Sequence, residues 1–158
     1  MVSATQVIVM PNQPPAPSGT SAPRQSGGQR DQVQRFLDRL ARAVTAGDGK
    51  TAAALWDVPA LVVGDQEARD ISSPAEIEQF FGGAKAQYNA QGITDTRAEI
   101  QDLRWLTPHI AVVQVRWPWL DSQGVEKGQE NSTYILRHDS TGSLRLHVAV
   151  MQGASPPR

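Results

Sequence analysis

Between Arg30 and Gly153 the chain carries a helical stretch, a short second one, a strand, a capped helix and then four strand-forming stretches in a row. That order predicts an α+β fold in which a curved antiparallel sheet closes on about three helices, because each element has one apolar side to bury. Val33, Phe36, Leu37, Leu40 and Val44 repeat at helical spacing behind Asp31, read as the N-cap, and Gly47 ends the stretch. Asp48 opens a short helix through Ala52, Ala53 and Trp56, and Pro59 precedes the branched run Ala60-Leu61-Val62-Val63, short enough for a strand turned outward at Gly64-Asp65.

Ser73-Pro74-Ala75-Glu76 is a helix start: Ser at the N-cap, Pro at the first helical position, and Glu placed to return a hydrogen bond. Ile77, Phe80, Phe81, Ala84 and Tyr88 form the stripe of that helix, with Gly92 as its left-handed end. Gly82-Gly83 in its middle points to a close approach of another element or to a kink. The strands run over about 95–106, 110–120, 129–137 and 143–152, with Thr107-Pro108, Asp121 to Gly124 and Asp139 to Gly142 as turns, and connections this short predict successive antiparallel pairing. In the last strand Leu144, Leu146, Val148 and Val150 alternate with more polar neighbours and are expected to face the helices.

The stretch from Pro11 to Gly28 is dominated by Pro, Gly, Ser, Gln and Ala, which cannot bury enough apolar surface to offset ordering entropy. The expected organisation is a disordered tail at 1–29, one domain over 30–153 and a flexible end at 154–158, with Gln6 to Met10 as an optional edge strand. With 15 basic against 16 acidic residues there is no broad positive field for nucleic acid. The absence of cysteine removes disulfides and thiolate chemistry. Neither a signal segment nor a membrane span is apparent, so a cytoplasmic protein is expected.

The helix end Thr45-Ala46-Gly47-Asp48, the following Ala53-Ala54-Leu55-Trp56, the helix start from Ser73 to Phe81, and Ser132 to Arg137 with its turn into Leu144-Arg145-Leu146 together resemble the nuclear transport factor 2-like superfamily. Ketosteroid isomerases, SnoaL-like polyketide cyclases and the association domain of calcium/calmodulin-dependent kinase II belong to it. The resemblance implies a cone-shaped, cystatin-like α+β barrel, a homodimer formed through the outer sheet face, and roles ranging from isomerase to scaffold. Matched position by position, the isomerase tyrosine falls at Leu40, its general base at Gly64 with Asp65 adjacent, and its protonated acid near Ser132. Val148 and Val150 stand where some relatives carry inward histidines. Enolisation needs a base and donors for the developing oxyanion, so the matched positions hold no complete catalytic set.

Asp65 is the candidate general base; Glu67, Asp70, Asp102 and Glu130 are the other carboxylates near the expected pocket or its rim, more readily explained as solvated. Trp56, Tyr88, Trp117, Ser132 and Tyr134 are the candidate ligand contacts, and Trp105 and Trp119 are further aromatic candidates. Core packing or a dimer face explains such aromatics more readily than a ligand role does, and Pro118 between two indoles implies an edge or a bulge. Gly49-Lys50-Thr51 lacks the context of a phosphate loop, Asn131-Ser132-Thr133 lacks a secretory context, and His109, His138 and His147 lack ligand spacing, so neither metal nor cofactor is expected. Three functions stay open, in this order: a binder of a small apolar molecule, a proton-transfer enzyme of isomerase, cyclase or dehydratase type, and an interaction scaffold. The enzyme requires Asp65 in the pocket; an exposed Asp65 counts against it.

Overall fold

The computed structural model describes residues 22–155; most of the expected tail, including the Gln6 to Met10 strand, and residues 156–158 lie outside them. Helix α1 spans Ala22–Ala46, so it begins well before Asp31, which is a helical residue rather than a cap. Pro23 sits in the first turn, where a missing N–H is no loss, and the Arg and Gln residues that follow are good helix formers, so extending an existing helix is favourable even across Gly27-Gly28. The apolar stripe is as expected: Val33, Phe36, Leu37 and Leu40 are buried.

Asp48 caps the short helix α2, Gly49–Ala54, accepting from the Thr51 backbone N–H at 3.1 Å and the Thr51 hydroxyl at 2.6 Å. Trp56 is not helical but opens strand β1, Trp56–Val63, which runs through Pro59. A hairpin then adds β2, Ala68–Ile71, a strand with no alternating apolar signal in the sequence. Helix α3, Pro74–Ala90, has Ser73 at its N-cap, but the Ser73 side chain makes no capping bond. Glu76 instead accepts from the Ser72 hydroxyl at 2.9 Å and the Ser72 N–H at 3.3 Å, so the return bond falls one residue early. Gly92, with φ of 79°, ends the helix as expected.

The remaining strands are β3 (Asp95–Thr96), β4 (Glu99–Thr107), β5 (Ile110–Leu120), β6 (Glu126–His138) and β7 (Leu144–Ser155). They join β1 and β2 in one curved seven-stranded sheet of order β2-β1-β7-β6-β5-β3, with β4 also paired to β5. Every pairing is antiparallel except β1 with β7, which is parallel. The three helices cover the concave face, where Val113, Val115, Leu136 and Leu146 meet the α1 stripe in the core.

One irregularity changes which residues face that core. Ile135 pairs with Val148 but Leu136 pairs with Leu146, leaving His147 as an extra residue in β7. Before the bulge Leu144 and Leu146 point inward; after it Ala149 and Met151 do, and Val148 and Val150 turn to the outer face, contrary to the alternation read from the sequence. The outer face therefore gathers Leu61, Val63, Val112, Ile135, Val148 and Val150, all half-buried and neighbours across β1, β7, β6 and β5. Among the described residues no helix is long and apolar enough to cross a membrane.

Candidate functional site

Helix α3 buries only Ile77 and Ala84, so it leaves space between itself and the sheet. That space is a cavity of about 700 Å³, lined from α1, α3, β1, β5, β6 and β7. Leu40, Ala41, Val62, Ile77, Phe81, Ala84, Ala149 and Met151 make its apolar walls, and Phe80, 67 % exposed, lies at its edge.

Alternation along β5 and β6 supplies the rest. Trp117 and Trp119 both line the cavity, so the Trp-Pro-Trp motif forms part of its wall. Pro118 between them needs no edge strand: its carbonyl accepts from the Thr96 hydroxyl at 2.7 Å, opposite the break between β3 and β4, where no donor is required. Trp117 is paired across the ladder with Glu130, and Glu130 shares one face of β6 with Ser132, Tyr134 and Leu136. The Trp117 indole N–H donates to the Tyr134 hydroxyl at 3.0 Å, the two rings meeting edge to face at 6.3 Å. Tyr88 reaches in from α3 and lies 6.1 Å from the Trp119 ring.

Burial dominates the protonation of this group. It pushes the Tyr134 phenol up to about 12, with the charge of Glu130 acting in the same direction and the Ser132 and Trp117 side chains opposing it. Burial and then Glu130 raise Tyr88 to about 12 as well. Glu130 itself is raised by burial alone, and among the described residues it has neither a hydrogen bond nor an ion pair. The site therefore offers two neutral phenols and one carboxyl that holds its proton above the ordinary range.

Of the residues expected to contact a ligand, the structure brings Trp56, Tyr88, Trp117 and Tyr134 together around the cavity. Ser132 is fully buried behind the wall, its hydroxyl 3.8 Å from the Met151 sulfur, and is not part of the lining. The Trp56 indole N–H is buried and has no hydrogen-bond partner among the described residues. Asp65 is exposed in the β1–β2 turn and does not line the cavity, since the chain has already left the sheet at Gly64. Of the other carboxylates, Asp70 and Asp102 are exposed and outside the lining, whereas Glu67 lies at the rim and Glu130 within. Trp105 is elsewhere, stacked on His138 at 5.3 Å. Among the described residues no group of three His, Cys, Asp or Glu side chains is placed to hold a metal ion. Glu130 looks solvated from the sequence, and its spacing of two and four from Ser132 and Tyr134 is the signal that puts it on their strand face.

A family model described as NTF2-like protein (DUF6841) matches residues 30–154. No curated protein matches the sequence. Among solved structures, a domain of unknown function with a cystatin-like fold from Nostoc punctiforme superposes with a TM-score of 0.63 at 15 % identity, covering 79 % of this chain and 76 % of that one. An NTF2-like protein with a cystatin-like fold from Novosphingobium aromaticivorans gives 0.61 at 12 % identity, over 81 % and 83 %. A ketosteroid isomerase-like protein from Erwinia carotovora atroseptica gives 0.56 at 14 % identity, over 77 % and 93 %. At these identities the likeness is one of fold.

Proposed function

The chain belongs to the NTF2-like protein family DUF6841, and from that premise we propose that it is a binding domain that holds a small, largely apolar molecule between its sheet and α3. The observation that carries this reading is the cavity: about 700 Å³, walled mainly by apolar and aromatic side chains with a few converging polar groups, as ligand sites usually are. Trp56, Tyr88, Trp117 and Tyr134 contact the guest, with the Tyr134 hydroxyl held in place by the Trp117 indole N–H that it accepts. An isomerase, cyclase or dehydratase running on Asp65 lacks support, because that carboxylate is exposed and outside the cavity.

The test fills the cavity from its wall. Ala149 is 2 % exposed and lines the space, so Ala149→Phe is expected to abolish the rise in melting temperature that a matching apolar compound gives the parent protein. A bound compound at 100 times its dissociation constant stabilises by about 2.7 kcal/mol, a shift of several degrees for a domain of this size. Equal shifts in parent and variant would overturn the reading.

A further inference from the structure

We infer that the cavity is built for an organic cation, an amine or quaternary ammonium group carried on an apolar body, with Glu130 as its counter-ion and aromatic rings around it. The inference rests on the binding reading above and adds the charge of the guest.

Glu130 is the starting point. It lines the cavity, and among the described residues no cationic side chain pairs with it. Removing a carboxylate from water without a partner is costly, and a cation brought by a ligand supplies that partner. The neighbours of Glu130 favour the same guest. Trp117 lies directly across the ladder, Tyr134 is four residues along the same strand face, and Tyr88 and Trp119 pack together in the same lining. Ring faces carry negative quadrupole charge, so they attract a cation and repel an anion. Both phenols stay protonated, as derived above, and so add no competing anion.

The rim is biased in the same sense. The charged side chains there are Glu67, Glu76 and Asp95 against Arg69 and Lys85; the Arg69–Glu76 pair, at 3.8 Å, cancels, which leaves two carboxylates against one ammonium. Such a mouth draws cations inward rather than anions. A neutral ligand accepting a hydrogen bond from protonated Glu130 is the other way to satisfy the same carboxyl, and the experiment separates the two.

The full chain is titrated, with amide shifts followed by NMR, against benzyltrimethylammonium and against neopentylbenzene, which replaces the charged nitrogen by carbon at almost equal shape. The cation is expected to bind more tightly by about tenfold, the scale of a desolvated cation–ring contact. Glu130→Gln should remove most of that preference while leaving the neutral compound within about twofold, and Trp119→Leu should weaken the cation selectively, with retained amide spectra showing that both variants fold. Equal or tighter binding of the neutral compound, or a preference untouched by Glu130→Gln, overturns the inference and leaves the cavity reading standing. If neither compound perturbs the residues of the cavity, both readings fall.

Discussion

At the scale of single residues, Glu130 and Asp65 exchange the roles that the sequence implies. Asp65 has the matched position but sits in an exposed turn; Glu130 looks like one more solvated carboxylate but faces an apolar interior. The raised pKa of Glu130 gives its contribution to stability a definite sign. The folded protein holds that proton more tightly than the unfolded chain, so the penalty is absent below the unfolded pKa, appears as pH rises, and is complete above the folded pKa. Without ligand, Glu130→Gln is therefore expected to melt above the parent protein at about pH 7 and to lose that advantage below about pH 4. Parallel thermal melts across that range check it; a gain that persists in acid would show that charge is not the cause. A carboxyl that costs stability when empty is common where binding is selected over rigidity.

At the scale of elements, glycine placement separates contact from freedom. Gly82 and Gly83 drew notice in the sequence, yet a Cβ at either would meet open space. The close approach is at Gly49, where an added methyl would collide with the Glu78 carbonyl oxygen of α3. Gly49→Ala is expected to cost about 1–3 kcal/mol as overpacking against backbone, whereas Gly82→Ala is expected to gain up to about 1 kcal/mol from helix propensity. Urea denaturation of both variants provides the comparison. The sequence carried α3, its Pro74 start and Gly92 end, and the β4 to β7 succession, because each depends on local signals. It did not carry β2, the strand state of Trp56, or the early start of α1, which depend on pairing and propagation beyond the local pattern. Least legible was the bulge at His147, since an alternating run looks the same with or without an extra residue and only the register with β6 reveals it.

At the scale of the whole molecule, that bulge prepares a second surface. By turning Val148 and Val150 outward beside Leu61, Val63 and Ile135, it gives the convex side of the sheet a continuous apolar centre, a kind of surface that often marks association. We propose that this face joins two copies in a homodimer. The rim has its own fixed charges: Arg116 is held by Glu99 at 2.7 Å and also by Glu126 and Gln129, so it is neutralised in place. Ile135→Lys is expected to convert the dimer to monomer in analytical ultracentrifugation with the cavity still able to bind, because Ile135 lies on the face opposite the lining. A parent protein that sediments as a monomer at high concentration would dispose of the proposal.

The parallel pairing of β1 with β7 also sets an order of events during synthesis. β1 emerges early, and the neighbour that must flank it, with Leu146 donating its backbone N–H to Leu55 at 2.8 Å, is the last of the described strands to follow. The helices and β1 thus wait with their apolar sides uncovered while β3 to β6 leave the ribosome, and the sheet is sealed by its final segment. Such distant closure slows folding and lengthens the time in which a nascent chain needs protection from its neighbours.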